Sequence, residues 1–209
     1  MEMAGAGGRP HAYIVTGFAK SARRATGRLR RRATAVPVML VMLLTASLAA
    51  APHGPAVEEY QLKAAVLYNL AKFVEWPPEA FPTARDPLVI CILGVNPFGA
   101  ALQEAVTGKG IEERKAVVQE ISDARQAGGC RILFIGSSER KRVRAVLAEI
   151  KGSGVLTVGD TVSFAAEGGI INFKLESGKV RLQVNVDAAE RQKLRISSKL
   201  LSLAQIVRQ

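Results

Sequence analysis

Two uninterrupted apolar runs, each closed by a glycine, limit the fold of this chain more than any other feature. The first extends from Leu88 to Leu93 before Gly94, and the second from Ile132 to Ile135 before Gly136. A short run without a polar position predicts a strand that is buried on both faces. Strands of this kind belong to parallel sheets whose two faces are covered by helices.

Helical patterns lie between the predicted strands. From Val57 onward, apolar residues recur at spacings of three and four, and Trp76 with two prolines ends the run, so we expect an amphipathic first helix. Further helices are expected at Phe98 to Val106 and from a cap at Ser137 or Ser138 to about Lys151, and further strands at Ala116 to Val118 and Val155 to Val158. The alternation predicts a layered α/β fold.

The C-terminal third predicts a hairpin and two closing helices. Ile170 to Leu175 and Val180 to Val186 flank a turn that contains a glycine, which predicts a β-hairpin at an edge of the sheet. Asp187 to Leu194 and Ser198 to Val207 have helical spacing. We therefore expect a single layered α/β domain over residues 57–208. It has a mostly parallel central sheet, an edge β-hairpin and flanking helices, and is Rossmann-like without a dinucleotide motif.

The N-terminal segment has the order of a signal peptide. A basic stretch that begins at Arg28 precedes the apolar run Val36 to Leu44, and small residues follow. This order over residues 28–51 predicts export and cleavage, with an uncleaved membrane anchor as the alternative. Cleavage is favoured because the apolar run is shorter than the roughly 20 residues that span a bilayer. Residues 1–27 lack apolar periodicity and are expected to be a disordered extension.

The net charge of +11 comes mainly from the same N-terminal segment. Residues 1–55 contain eight Lys or Arg and one Glu, which leaves a net charge of +4 for the remainder. So small an excess argues against a phosphate-binding surface, and we expect no nucleic-acid partner. Contact with a membrane is expected only through the signal segment, if that segment stays uncleaved.

Residues for acid–base or metal chemistry are scarce. The only histidines, His11 and His53, precede the predicted domain, which argues against zinc binding and histidine-based catalysis. Glu75, Asp160 and Glu167 would support catalysis only if the fold brought two of them together in a pocket. We therefore expect a binding protein with no catalytic residue, no metal and no cofactor.

Several segments between Val57 and Val207 together form a recognisable series. They are Leu62 to Ala65, Tyr68 to Pro77, Cys130 to Gly136, Val155 to Asp160, Gly168 to Phe173 and Ile196 to Leu201. In order and spacing the series resembles the YfiR/HmsC-like family of periplasmic regulators. The resemblance implies a protein that binds the periplasmic domain of an inner-membrane diguanylate cyclase and holds it inactive, which limits cyclic-di-GMP and biofilm formation. It also implies that the protein can form a homodimer.

The two cysteines allow a disulfide. Cys91 lies in the first apolar run and Cys130 precedes the second, so a bridge between neighbouring strands and a pair of buried thiols are both open. Some YfiR relatives carry another cysteine pair around the Gly-Gly segment, whereas this chain has Ala165, Ala166 and Asn172 there. A redox switch with two bridges is therefore not expected.

Two regions contain candidate binding residues. Trp76 is either part of the core or an exposed anchor, and the final segment has more apolar residues than one helical stripe requires. The candidates for partner or dimer contact are Trp76, Leu200, Leu201, Leu203 and Ile206. An alternative function, a periplasmic small-molecule binder that serves a receptor or an uptake system, predicts a crevice at the strand ends. The crevice candidates are Gly94, Asn96, Gly136 and Ser137.

Overall fold

The structure, a computed structural model, describes residues 54–111 and 114–208. The predicted extension 1–27, the predicted signal segment 28–51 and both histidines lie outside the described residues. Within those residues, no helix has the length and apolar character that a membrane crossing requires.

Helix α1 (Pro55–Leu70) opens the described chain. Proline suits the first turn of a helix because its missing N–H would have no intrahelical partner there. Ala64 and Leu67 are fully buried, so the predicted amphipathic helix is confirmed. The helix ends at Leu70, several residues before Pro77 and Pro78. A 3-10 turn (Ala71–Phe73) and strand β1 (Val74–Glu75) lie between.

Strands and helices alternate along the rest of the chain. They are β2 (Leu88–Leu93), α2 (Ala101–Val106), β3 (Gly110–Ile111), β4 (Arg114–Ile121), β5 (Ile132–Ile135), α3 (Val143–Glu149), β6 (Leu156–Gly159), β7 (Ile171–Glu176), β8 (Lys179–Asn185), α4 (Val186–Arg191), β9 (Arg195–Ile196), α5 (Ser198–Leu201) and β10 (Gln205–Val207). Short 3-10 turns lie at Pro78–Ala80, Ala124–Gly129 and Ser137–Glu139. The layered α/β fold class is confirmed.

Eight strands form the central sheet, in the order β10-β8-β7-β6-β5-β2-β4-β3. Its neighbours pair in parallel except for β7 with β8 and β3 with β4. The mostly parallel sheet that the apolar runs predict is therefore confirmed. β1 and β9 form a separate antiparallel pair, in which Val74 lies opposite Ile196.

Apolar side chains pack against both faces of the sheet. Successive residues of a strand point to opposite faces. Ile132 and Phe134 belong to the cluster that includes residues of α1 and α2, whereas Leu133 and Ile135 belong to the cluster that includes residues of α3. All four are fully buried. This two-sided burial explains why no polar residue interrupts β5.

The final segment is not a helix through Val207, as the spacing predicts. Helix α5 spans four residues after the cap Ser197, and strand β10 follows it. β10 pairs in parallel with β8, and the β-branched Ile206 and Val207 suit this extended conformation. The hairpin of β7 and β8 is confirmed, but it lies one strand inside the sheet edge because β10 covers it.

The serine cap predicted after β5 is wrong. Ser137 and Ser138 lie in a 3-10 turn, and α3 begins only at Val143, without a side-chain cap. The Ser138 hydroxyl instead accepts a hydrogen bond from the Val95 N–H over 3.0 Å. This serine therefore ties two loops together rather than starting a helix.

Candidate functional site

Cys91 and Cys130 form a disulfide that links β2 to a position two residues before β5. The parallel pairing of β2 with β5 places their Cα atoms 5.8 Å apart, and both cysteines are buried. The bridge joins positions 39 residues apart, and closing such a loop stabilises the fold by about 4 kcal/mol through the entropy of the unfolded chain. Of the two alternatives that the sequence leaves open, the structure contains the bridge.

The predicted crevice residues meet at the carboxyl ends of β2 and β5. Gly136 donates its N–H to the Leu93 carbonyl over 2.9 Å. The Asn96 side chain donates from Nδ2 to Glu120 Oε1 over 2.7 Å, and its Oδ1 accepts the Phe98 N–H over 2.9 Å. These polar groups therefore already form hydrogen bonds within the loops at this edge.

Gly94 and Ser137 border the same edge. Gly94 has a φ of 88°, in the region that favours glycine, and a side chain there would collide with Ser138. What remains open is a depression of about 550 Å³ with the exposed cations Arg140 and Lys141 on its rim. Of the four crevice candidates, Ser137 lines this depression, whereas Gly94, Asn96 and Gly136 lie in the loops at the same edge, and ligand binding by them stays a prediction.

A second pocket lies at the opposite end of the sheet, beside Trp76. It is bounded by residues 73–78, Phe81, Leu88, Arg114 and Ser197, and we call it the Trp76 pocket. Leu88 and Arg114 are the first residues of β2 and β4, so the pocket lies at the amino ends of these strands. Its volume of about 500 Å³ falls in the range of small-molecule sites.

Two aromatic rings and Arg114 form one wall of the Trp76 pocket, and Arg131 approaches the Phe81 ring without lining the pocket. The rings of Trp76 and Phe81 meet edge to face, with centroids 5.9 Å apart. The guanidinium carbons of Arg114 and Arg131 lie 4.2 and 5.3 Å from the Phe81 centroid, within the range of cation–π attraction. Arg114 also donates to the Thr83 carbonyl over 2.7 Å. A cation at the start of β4 and another directly before β5 therefore hold the loop that carries Phe81.

Two buried donors near this pocket lack a partner among the residues that the structure describes, namely Nε1 of Trp76, which lines the pocket, and Nε of Arg131, which does not. Burial also lowers the pKa of the Arg131 guanidinium. A buried N–H without an acceptor is costly, so a molecule with acceptor atoms would be stabilised here. Sequence reasoning found Trp76 but missed Phe81, Arg114 and Arg131. The available signal was an aromatic residue in a proline-rich loop together with an arginine, Arg131, that directly precedes an apolar run.

Asp160 directly follows β6 and holds α1 against the sheet. Its Oδ2 accepts hydrogen bonds from the Tyr60 hydroxyl over 2.7 Å and from Lys63 Nζ over 3.0 Å. Lys63 also pairs with Glu59 over 2.6 Å, and its Nζ lies 4.4 Å from the Tyr60 ring centroid. Burial, and next the hydrogen bond to Asp160, raise the pKa of Tyr60. The arrangement is a buried structural contact between a helix and a strand end.

The apolar candidates near the C terminus divide into core and surface residues. Leu200 is buried, and Leu201 packs against the same core cluster. Leu203 and Ile206 are 69% and 48% exposed. Of these residues, only Leu203 and Ile206 therefore offer substantial area for contact with a partner.

The three candidate carboxylates have separate neighbours. Glu75 lies at the surface, with its Oε2 3.9 Å from Nε of Arg195. Glu167 accepts a hydrogen bond of 2.5 Å from the Ser163 hydroxyl. Asp160 binds Tyr60 of α1, as described above. Across residues 54–111 and 114–208, no group of three or more His, Cys, Asp or Glu side chains is placed to hold a metal ion.

A family model described as YfiR/HmsC-like matches residues 60–205 of this chain. The chain belongs to the YfiR/HmsC-like family. The match spans nearly all of the described domain and confirms the resemblance that the sequence segments suggest. A search of curated proteins finds none that matches.

Two solved structures are similar to this YfiR/HmsC-like chain over part of their length. An ABC domain in complex with L-Trp from Streptococcus pneumonia has 10% identity and a TM-score of 0.47, over 69% of this chain and 60% of its own. A conserved domain protein from Vibrio cholerae has 10% identity and a TM-score of 0.48, over 74% of this chain and 60% of its own. The chain thus spans 60% of the length of each.

The YfiR/HmsC-like segments have identifiable places in this structure. Trp76 and Pro77 line the Trp76 pocket. Asp160 fastens α1, and Ile196 pairs with β1 beside the same pocket. Three of the segments that carry the resemblance therefore contribute to one pocket or to the contacts that hold the first helix on the sheet.

Proposed function

We propose that this chain is a periplasmic regulator that docks on the periplasmic domain of an inner-membrane diguanylate cyclase and holds the cyclase inactive. Membership of the YfiR/HmsC-like family carries this proposal, because the family match spans residues 60–205. In this function the protein limits cyclic-di-GMP and biofilm formation by occupying a surface of the cyclase. No covalent bond is made or broken.

The disulfide supports the periplasmic location. Disulfides persist in oxidising compartments such as the bacterial periplasm, and they are rare where glutathione keeps thiols reduced. Cys91 and Cys130 are bridged inside the core. The order of residues in segment 28–51 is also typical of exported proteins.

The direct test is recovery of the membrane partner. The tagged full-length protein is produced in its native host, purified from solubilised membranes, and its companions are identified by mass spectrometry. Recovery of a diguanylate cyclase is the expected result. Recovery of receptors or transport proteins without any cyclase would overturn the proposal.

A cellular measurement tests the inhibitory direction. Deleting the gene removes the inhibitor, so the concentration of cyclic-di-GMP is expected to rise and to return to its original value when the gene is restored. An unchanged concentration in several growth conditions, or a fall, would contradict inhibition.

Two exposed aliphatic residues allow the docking surface to be mapped. Val162 follows β6 and is 97% exposed, while Leu203 lies between α5 and β10. Neither side chain belongs to the core, so Val162→Asp and Leu203→Asp should fold normally. Each variant is the matched control for the other, because loss of cyclase recovery in only one of them identifies the surface in contact.

A second candidate function, small-molecule binding, is favoured by the Trp76 pocket. Its aromatic wall, the cation of Arg114 and the unpartnered Trp76 Nε1 suit a small planar molecule with acceptor atoms. Trp76 is the only tryptophan in the chain, so its fluorescence reports binding directly. A panel of small aromatic carboxylates should change this fluorescence in the wild type and do so less in Arg114→Ala. No change with any compound would remove this candidate.

A further inference from the structure

A third pocket lies between helix α3, helix α4 and the segment that joins β6 to β7. Arg144, Lys151, Glu167 and Arg191 contribute to its lining, and we call it the α3–α4 pocket. It shares no residue with the Trp76 pocket or with the depression beside Arg140. Its volume of about 270 Å³ suits a ligand smaller than those of typical drug-sized sites.

Three cations from separate segments surround this pocket. Arg144 lies on α3, Lys151 follows the end of α3, and Arg191 is the last residue of α4. All three side chains are exposed. Among the residues that the structure describes, no carboxylate lies within ion-pair distance of any of them. Their charges are therefore available to a ligand.

Glu167 is the one acid in the lining of the α3–α4 pocket, and its carboxylate accepts a hydrogen bond from the Ser163 hydroxyl over 2.5 Å. Glu149 and Glu190 are exposed neighbours in the sequence and do not line the pocket. Three cations and one carboxylate give the lining a net charge of +2. This charge balances that of a phosphate monoester, which carries about −1.5 to −2 near neutral pH.

Thr157 lines the α3–α4 pocket from its buried side. The residue belongs to β6 and is only 1% exposed. Its Oγ1 accepts the Ile170 N–H over 3.0 Å, and within the described residues its own hydroxyl hydrogen has no acceptor. Buried hydroxyl groups are normally hydrogen-bonded. The pocket therefore offers one buried neutral donor beneath its three charged donors.

The buried side chain of Gln192 holds two of the cation-bearing segments together. Its Nε2 donates to the Ile150 carbonyl over 3.0 Å, and its Oε1 accepts the Gly154 N–H over 3.1 Å. Residues 150 and 154 flank Lys151, while Gln192 directly follows Arg191. The backbone positions of these two cations are thus fixed before any ligand binds, which lowers the entropic cost of binding.

We propose that the α3–α4 pocket binds a phosphate group. Arg144, Lys151 and Arg191 supply charged donors to the phosphate oxygens, and the Thr157 hydroxyl supplies the neutral donor. Guanidinium groups match phosphate oxygens in charge and geometry. A carboxylate, with a single charge and two oxygens, would leave part of the positive charge unbalanced. The inference depends neither on the regulation of a cyclase nor on the Trp76 pocket.

The sequence gives little sign of this pocket because its cations are far apart in the chain. The small net charge of the domain argues against an extended phosphate-binding surface. A single phosphate group needs only a local excess of charge. The fold produces that excess by bringing residues from α3, from the turn after it and from α4 to one pocket.

Calorimetric titration tests the site with inorganic phosphate and with glycerol phosphate as probes. The protein is purified from its native host, and the ionic strength is held constant. We expect saturable binding of both probes. Arg144→Ala and Arg191→Ala should each raise the dissociation constant about tenfold, because each removes one charged hydrogen bond. Arg144→Lys keeps the charge and should weaken binding less than Arg144→Ala.

Arg140→Ala is the matched control. It removes the same charge from an exposed position that does not line the α3–α4 pocket. Its dissociation constant for phosphate should equal that of the wild type. An equal loss of affinity in Arg140→Ala and Arg144→Ala would overturn the proposal, because it would report general attraction to a basic surface rather than one site.

Vesicles separate the two sources of a phosphate group, a free small molecule and a lipid headgroup. Flotation compares vesicles of phosphatidylglycerol with vesicles of phosphatidylcholine. Binding of the free probes without vesicle binding would assign the site to a small molecule. Vesicle binding that Arg144→Ala and Arg191→Ala weaken, in a protein that ignores the free probes, would assign it to a lipid headgroup. Absence of binding in both arms would contradict the proposal.

Discussion

The Tyr60 hydroxyl donates a hydrogen bond of 2.7 Å to Asp160, a residue 100 positions later in the chain. Lys63 reaches the same carboxylate oxygen from the next turn of α1. The side chains of Lys63 and Asp160 are only 5% and 4% exposed, so this charged contact lies in the interior. A buried charge of this kind ties the position of α1 to the end of β6.

Replacing Asp160 tests how strongly this contact stabilises the fold. Asp160→Asn keeps the size of the side chain but leaves Lys63 with Glu59 as its remaining acidic partner. Breaking a buried ion pair is costly, and we expect the free energy of unfolding to fall by about 3 kcal/mol. Urea unfolding followed by circular dichroism, with the disulfide intact, measures the change.

Two further variants make that measurement specific. Tyr60→Phe removes only the hydroxyl donor, and we expect a loss of about 1 kcal/mol. Glu176→Gln alters an exposed ion pair with Lys174 and should change stability little. If Asp160→Asn were no less stable than Glu176→Gln, the contact would not fasten α1.

The raised pKa of Tyr60 predicts a loss of stability in alkaline solution. The ordinary pKa of a tyrosine side chain is about 10. Burial, followed by the hydrogen bond to Asp160, raises the pKa of Tyr60 and keeps its phenol neutral to higher pH in the folded state. Above about pH 10 the unfolded chain releases this proton while the folded chain retains it. The unfolded state therefore binds fewer protons, and the free energy of unfolding falls as the pH rises.

The size of this alkaline effect can be isolated with Tyr60→Phe. We expect the stability of the variant to depend less on pH above about pH 10 than that of the wild type. Urea midpoints at a series of pH values provide the comparison. Parallel curves for the two proteins would show that Tyr60 does not contribute.

The strands that are buried on both faces were predictable from the sequence. In β2 and β5 every position faces one of two apolar clusters, so the pattern of continuous apolar residues has a single physical cause. The first helix was predictable for a similar reason, because its buried residues Ala64 and Leu67 follow helical spacing.

Other features depend on contacts between distant segments. The spacing of Leu200, Leu203 and Val207 suits a helix, but pairing with β8 makes the last part of this segment a strand. The Trp76 pocket combines a proline-rich loop with Arg114 and other residues that are far apart in the sequence. At the carboxyl edge, hydrogen bonds link the loops that follow β2 and β5, and the strand order alone does not reveal these contacts.

The disulfide should contribute substantially to stability. The double variant Cys91→Ala with Cys130→Ala removes the bridge, and we expect its free energy of unfolding to be lower by about 4 kcal/mol. Calorimetry with and without reductant measures this effect. Reductant should lower the unfolding temperature of the wild type and leave that of the variant unchanged. Equal unfolding temperatures for the two oxidised proteins would contradict the prediction.

Arg114 should hold the proline-rich loop that borders the Trp76 pocket. Arg114→Ala removes the cation over Phe81 and the hydrogen bond to the Thr83 carbonyl, and we expect a loss of about 1 to 2 kcal/mol. Hydrogen exchange in residues 78–87 should become faster than in the wild type. Arg85→Ala, which changes an exposed side chain of the same loop, is the control and should leave the exchange unchanged.

The Gly-Gly segment should tolerate no side chain at its second position, because Gly169 packs directly on the ring of Phe164. A Cβ at Gly169 would overlap this fully buried ring, and Gly159 approaches the same ring. Since the ring is fully buried, Gly169→Ala should cost about 2 to 3 kcal/mol, as other overpacked cores do. Gly128→Ala is the matched control, because open space surrounds that position. Urea unfolding measures the free energy of unfolding of both variants. Equal values would mean that Phe164 can shift to accept the methyl group.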